Sequence, residues 1–338
     1  MDIANAIKLL SDETGVSGEE SKAAKLAASM LKEYTNDVCI KNGNVIGKLG
    51  KHDGNSVKLV LDAHIDQVGL IVTYVDENGF IKAANCGGID RRLLPAQQVI
   101  IHGKRDIYGI VISIPPHLSG GKEKEVPEIS ELCIDTGMGR EELLEIVQPG
   151  DKITFDVKCG KLLGRRIAGR ALDDRAGVAA ILYALDLLKN EEINCALTVL
   201  FSAQEEIGER GAKIAAYDIN ADIAIAVDVG FGYAEGEKEE KCGKLGNGGM
   251  IGISPSLDKK LSLELIDIAK EMNIPFQHEI MPGLTSTNAD QFSVSGSGAR
   301  AVTLSIPLRY MHTPVEVVDL SDVENVGKLL AEYIRRTK

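Results

Sequence analysis

The chain opens on two stretches with apolar residues at helical spacing, "ANAIKLLSDETG" and "EESKAAKLAASMLKEYT", so its first forty residues read as helix. A β-branched apolar run, "SVKLVLDAHIDQVGLIVTYV", follows and predicts strand. From about Gly69 to about Leu162 the pattern shortens. Runs such as "LIVTYV", "FIKAAN", "QVIIHG", "DIYGIVISI" and "DKITFDV" are divided by Gly and Pro, with one short helical stretch, "REELLEIV". That texture predicts a small β-barrel or sandwich, in which "SGGKEKEVPE" reads as a polar, mobile loop. After Leu162 helix and strand alternate. "DDRAGVAAILYALDLLKN" is helical, with Val178, Ile181, Leu182, Leu185 and Leu188 on one face. "ALTVLFSAQEE", "ADIAIAVDVG" and "ARAVTLSIP" read as strands, "DKKLSLELIDIAKEM" and "DVENVGKLLAEYIRR" as helices. The expected fold is an α/β domain of a sheet flanked by helices, at residues 1–68 and 163–338, interrupted by a β domain at 69–162.

Composition narrows the classes of function. The 338 residues suffice for two domains, and 44% hydrophobic with 26% charged residues describes a soluble globular chain. The start has no basic segment followed by a continuous apolar one, so no signal peptide is expected, and no run is long enough to span a bilayer. Six cysteines without a C-x-x-C pair point to reduced thiols and a cytoplasmic protein. A net charge of −12 argues against nucleic acid and anionic membrane as partners.

The candidate chemistry lies where the α/β strands end. "KLVLDAHID" sets His64 and Asp66 two apart, on one face of a strand. "TVLFSAQEE" ends in Glu205 and Glu206, "DIAIAVDVG" in Asp228, and His312 follows the strand of "AVTLSIPLRYMHTP". "ALDDRAG" places Asp173 and Asp174 at a helix start. Each has a plain explanation when taken singly: a helix cap, a turn carboxylate, a hydrogen-bonded core histidine, a loop histidine. Jointly they collect at the carboxyl edge of the sheet, where α/β folds bind ligands. Two His and several carboxylates make a nitrogen and oxygen donor set suited to Zn²⁺, Co²⁺ or Mn²⁺, and the number of donors suggests two ions bridged by one carboxylate. Other features are weaker. "CGKLGNGGMIG" lacks the spacing of a phosphate loop and reads as a backbone wall or a loop near the cleft. His102 and His117 in the insert read as structural, and "EGEKEEK" as a solvated loop.

The order H-x-D, D-D-R-x-G, E-E, D, R-Y-x-H resembles that of the tetrahedral (TET-type), dinuclear-metal aminopeptidases, which include glutamyl and deblocking aminopeptidases and proteins labelled cellulase M. The resemblance runs almost end to end, through "TGVSGEE", "AHIDQVG", "GGIDRR", "PPHL", "GDKITFD", "GRALDDRAGVAA", "QEEIGERGA" and "RYMHTPVEVV". It implies a phosphorylase/hydrolase-like mixed sheet flanked by helices, with an inserted PDZ-like β-barrel. It also implies that Asp173 bridges two divalent ions, that His64 and Asp228 complete one ligand set, and that Glu206 and His312 complete the other. Asp66 would orient His64, Glu205 would be the general base, and the peptide joining Asp173 to Asp174 would be cis. The implied activity is removal of N-terminal residues from short peptides. The implied assembly is a homo-oligomer, typically a tetrahedral dodecamer, with dimer contacts through the insert. Two positions depart from the pattern: Gln67 stands where relatives commonly have Glu, and "LTSTNADQF" replaces a G-T-D-A run. Two rival readings remain, another two-metal hydrolase, including the glucanase label of some relatives, and a non-catalytic peptide-binding assembly.

Overall fold

Two sheets divide the chain in the computed structural model, which describes residues 1–118, 120–121 and 125–338. Helices α1 (Ile3–Asp12) and α2 (Ser21–Leu31) precede strands β1 (Val38–Lys41), β2 (Asn44–Gly50) and β3 (Lys58–His64). A closed barrel follows, formed by β4 (Gly69–Val75), β5 (Ile81–Cys86), β6 (Gln98–His102), β7 (Asp106–Val111), β8 (Ile134–Asp135) and β9 (Lys152–Phe155), with the short helix α3 (Arg140–Leu144) before β9. The chain then runs through β10 (Gly160–Lys161), β11 (Arg166–Gly169), α4 (Leu172–Leu187), β12 (Ala196–Ser202), α5 (Arg210–Ile219) and β13 (Ile223–Phe231). It closes with β14 (Gly249–Ile253), α6 (Lys259–Glu271), β15 (Phe276–Ile280), α7 (Ala289–Val294), β16 (Arg300–Arg309), β17 (Glu316–Asp319) and α8 (Leu320–Arg336). Part of the polar stretch expected as a mobile loop, position 119 and positions 122–124, lies outside the described residues.

The large sheet has the order β1-β2-β12-β3-β13-β16-β17-β11-β10, with β14 and β15 branching from β16. Its centre, β12-β3-β13-β16, is parallel, and antiparallel strands flank it, so the sheet is mixed. Both faces are covered, which explains the nearly unbroken apolar runs of the central strands. Leu59, Leu61, Val199, Phe201 and Ile225 pack on one side with residues of α1, α4 and α8. Val60, Leu200, Ala224 and Ala226 pack on the other with Ala212, Ala216 and Phe292 of α5 and α7. The barrel has its own core, including Leu70, Ile81, Val99, Ile101 and Ile153.

Three local readings change in three dimensions. The run "SVKLVLDAHIDQVGLIVTYV" is two strands in different sheets, β3 and β4, separated by the turn that carries Asp66. The stretch after α2 forms a hairpin, β1–β2, with Lys41 opposite Asn44. Asn42 and Gly43 turn it with φ of +53° and +82°, the left-handed conformation that Asn-Gly hairpins use. Helix α4 is not half exposed: every residue from Leu172 to Leu182 is buried, because the helix lies against β3 and β13 and is covered by α1 and α8. No helix among the described residues is long and apolar enough to cross a membrane.

The glycine-rich stretch before β14 is held by Asp322 of α8, whose carboxylate accepts from the backbone N–H groups of Gly246 and Gly248, both at 2.7 Å. Amides that could cradle an anion are thereby occupied. Burial pushes the Asp322 carboxyl up from 3.8 to about 6 against the pull of those two N–H groups. The folded chain therefore keeps a proton that the unfolded chain releases near pH 4. Stability falls as pH rises from about 4 to about 6, by at most about 3 kcal/mol from this group, and is flat above. Asp322→Asn is expected to flatten that slope in urea midpoints taken at pH 4.5, 5.5 and 6.5. Parallel slopes for variant and wild type would mean that Asp322 titrates as an ordinary carboxylate.

Candidate metal centre

The parallel strands deliver their last residues to one edge. His64 ends β3 and pairs in register with Ser202, the last residue of β12. Asp228 lies in β13 with its Oδ1 3.9 Å from His64 Nε2. Glu205 and Glu206 follow β12 in a turn whose carbonyl at Glu205 accepts from the N–H groups of Gly208 and Glu209. His312 lies between β16 and β17 with φ of +61°, a conformation disfavoured for a residue with a Cβ. Asp173 comes from the opposite side, at the start of α4, and its peptide bond to Asp174 is cis.

These side chains form two groups that share one residue. In the first, His64, Asp173 and Asp228 place donor atoms within 4.8 Å of one another, and in the second Asp173, Glu206 and His312 do the same. Asp173 Oδ1 is 3.0 Å from His64 Nε2, whereas Asp173 Oδ2 is 3.3 Å from His312 Nε2. His312 Nε2 is also 3.3 Å from Glu206 Oε2. Donors about 2.1 Å from a tetrahedral ion stand about 3.4 Å apart, so these spacings suit a cation at the centre of each group.

A ring of partners holds the groups in place. Asp66 lies in the turn beyond β3 rather than on the strand itself, with Oδ1 3.5 Å from His64 Nδ1. It accepts from Ser17 Oγ at 2.6 Å and from the backbone N–H groups of Glu205 at 3.0 Å and Glu206 at 3.2 Å. The Asp66 backbone carbonyl is the hydrogen-bond partner of His64 Nδ1 at 3.2 Å, so one buried residue orients both the histidine and, through its carboxylate, the acidic turn. Asp174 points away and accepts from Gly177 N at 3.1 Å, capping the continuing helix. A Cβ on Gly177 would lie 2.4 Å from the Asp174 carboxylate oxygens, so the cap needs the glycine. Arg175, fully buried, donates to the carbonyls of Ile65, Leu10 and Glu13 and ties α4 to the β3 turn and to α1.

Sequence reasoning passed over Glu316. Its Oε1 accepts from His312 N at 3.0 Å and its Oε2 from Asp173 N at 3.1 Å. The signal was present as a carboxylate inside the apolar run "VEVV". The Gln67 departure also acquires a setting: its Oε1 accepts from buried Arg170 at 2.7 Å. Asn288 donates to Asp62 Oδ2 at 2.7 Å and to Ser202 Oγ at 2.8 Å, beneath the centre. His102 bonds to Thr154, Thr14 and Asp106, a structural setting.

Crowding of like charges sets the electrostatics. Burial, then the charges of Asp173 and other carboxylates, pushes the Glu206 carboxyl well above its usual range, and Asp228 is raised in the same way. Burial also raises Asp173, but His312 and His64 outweigh it and hold Asp173 below its usual range. Glu205 is pushed up to about 7, chiefly by burial. Carboxylates that hold protons because they are buried together gain most from a divalent cation, which replaces those protons with positive charge. The donor set therefore fits metal. The Glu205 side chain belongs to neither group, and it makes no hydrogen bond or ion pair with any described residue.

Comparison with known proteins agrees with this picture. Residues 43–329 match the sequence profile described as M42 glutamyl aminopeptidase. The chain is 32% identical to the lysyl aminopeptidase of Pyrococcus furiosus, over 98% of this chain and 96% of that protein. Among solved structures, the aminopeptidase APDkam598 from the archaeon Desulfurococcus kamchatkensis superposes with a TM-score of 0.92 at 33% identity, covering 98% of this chain and 94% of that one. The Pyrococcus horikoshii TET1 peptidase, described as able to assemble into a tetrahedron or a large octahedral shell, superposes at 0.88 with 30% identity over 98% and 99% of the two chains. Likeness of sequence and fold over nearly the whole length, with a cluster of metal-binding residue types at the sheet edge, places the chain in the M42 glutamyl aminopeptidase family of metal-dependent peptidases, and it is an aminopeptidase.

Proposed function

We propose that the chain is a dinuclear metallo-aminopeptidase that removes N-terminal residues from short peptides, with Glu205 as general base. The observation that carries this reading is that the two oxygens of Asp173 face two different donor groups. His64, Asp173 and Asp228 would hold one ion; Asp173, Glu206 and His312 would hold the other. Zn²⁺, Co²⁺ and Mn²⁺ all suit the donors. Two such ions would supply polarisation of the scissile carbonyl and a lowered pKa for the attacking water. Glu205 would take the proton of the attacking water and pass it to the leaving amine, a role open to a carboxylate that belongs to neither donor group. Asp66 fixes the ring of His64 and the backbone of Glu205, so that base and ligand share one anchor. The anionic surroundings favour a free α-ammonium group on the substrate, which makes the reaction an exopeptidase reaction.

The reading extends to assembly. Residues 1–68 and 163–338 form the catalytic part, and the insert at 69–162 provides dimer contacts within a tetrahedral dodecamer. Support comes from the likeness to the TET1 peptidase and from apolar side chains exposed on and beside the barrel, Tyr108, Ile110, Ile114 and Leu118. Free cysteines throughout agree with the cytoplasm as its compartment.

The test uses aminoacyl-nitroanilides and short peptides with free or acetylated N-termini. Chelation is expected to abolish cleavage, and Zn²⁺, Co²⁺ or Mn²⁺ to restore it at two ions per chain by elemental analysis. Acetylated peptides and β-glucan should be inert. Chelator-resistant cleavage, restoration at one ion per chain, or turnover of glucan instead of peptide would each overturn the proposal.

A further inference from the structure

Glu316 is a carboxylate in a place that gives it little in return. It begins β17 in an apolar run, is 1% exposed, and pairs in register with Gly169 of β11. Burying an ionised carboxylate is costly unless its oxygens are well satisfied. It accepts from two backbone N–H groups, one distant in the chain, Asp173 at the start of α4, and one four residues away, His312 in the loop before β17. Among the described residues no Lys, Arg or His forms an ion pair with it, and the charge of Asp173 adds to the cost of burying it.

The two residues it holds need that support unequally. Asp173 is also fixed by His64 at 3.0 Å and by the buried start of α4. His312 sits in a left-handed conformation on a loop, with its side chain 31% exposed. Its remaining backbone anchor is a 3.4 Å hydrogen bond from Asp90 N to its carbonyl. With one oxygen on each residue, the carboxylate sets the distance between Asp173 Oδ2 and His312 Nε2, the gap in which the second donor group must hold its ion.

We propose that Glu316 is a positioning residue that tunes one of the two metal sites, the Asp173–Glu206–His312 site, through the backbone of His312. This rests on the dinuclear reading. Outer partners of metal ligands contribute about 10–100-fold in metal affinity. Glu316→Gln keeps the shape but turns an amide N–H₂ toward one of the two backbone donors, so one bond is lost.

The experiment titrates chelated protein with Co²⁺ and follows calorimetric heat and the visible spectrum of the bound ion. Wild type is expected to take up two ions per chain. In Glu316→Gln the second step should weaken by about 10–100-fold and the first stay within about threefold. His312→Ala should lose the second step outright, and adding Glu316→Gln to it should leave the remaining step unchanged. Unfolding of the metal-free proteins reports on general damage, and Glu316→Asp, which keeps the charge but not the reach, replaces Gln if that variant does not fold. Equal weakening of both steps, or none, would overturn the assignment. So would a further loss when Glu316→Gln is added to His312→Ala. A wild type binding fewer than two ions would overturn the dinuclear reading first and this proposal with it.

Discussion

Glu205→Gln is expected to lower kcat by about 10²–10⁴-fold while leaving both ions bound and KM nearly unchanged. The carboxylate makes no hydrogen bond or ion pair with the described residues, so the amide of the same shape should fit without rearrangement, and the backbone anchor on Asp66 is untouched. What the amide cannot do is accept a proton. A fall in kcat with KM and metal content preserved is the pattern of a group that acts only in the transition state. The pH profile adds a sign. A base must be ionised to act, so with Glu205 in the proposed role kcat/KM should fall as pH drops through its pKa. Burial, chiefly, pushes that carboxyl up to about 7, and a bound cation beside it would pull it lower. In the variant this acid limb should disappear from the residual rate. Unchanged turnover would remove Glu205 as the base; loss of an ion along with activity would make it a ligand.

Asp173→Ala is expected to have a wider effect, loss of both ions and of all measurable turnover. Its Oδ1 faces the group of His64 and Asp228, and its Oδ2 faces the group of Glu206 and His312. Removing a shared ligand should cost each site more than the roughly 10–100-fold that an outer partner supplies. Asp228→Ala and Glu206→Ala serve as the comparison, because each touches one group and should leave one ion. Elemental analysis of the variants after dialysis against micromolar Zn²⁺ reads the difference as none against one. Retention of one ion by Asp173→Ala would show that the two groups do not share it.

Much of the fold is legible because periodicity is a local property. The alternation of helix and strand after Leu162, the short β runs of the insert, and His64, Glu205, Glu206 and Asp228 at or just beyond apolar runs follow from which residues neighbour which along the chain. What periodicity missed has physical reasons too. The run through β3 and β4 is continuous in hydrophobicity, and only pairing shows that Ala63 belongs to the large sheet and Leu70 to the barrel. Helix α4 has an apolar stripe, yet its other faces are buried as well, because α1 and α8 return from opposite ends of the chain to cover it.

The same division holds at the centre. Residue types and their placement at strand ends already single out the candidate donors, since a donor's chemistry belongs to its own side chain. Which candidate donors fall into one group is set by pairing, β3 beside β12 and β13, and by α4 packing against β3 and β13. The contribution of Asp66 to the backbone of Glu205 and Glu206, and of Glu316 to that of Asp173 and His312, has no sequence period at all. The bonds from Asp66 to the acidic turn and from Glu316 to Asp173 join residues far apart in the chain, which only the folded sheet brings within 3 Å or so of each other. The bond from His312 to Glu316 spans four residues and depends on the fold of the loop before β17.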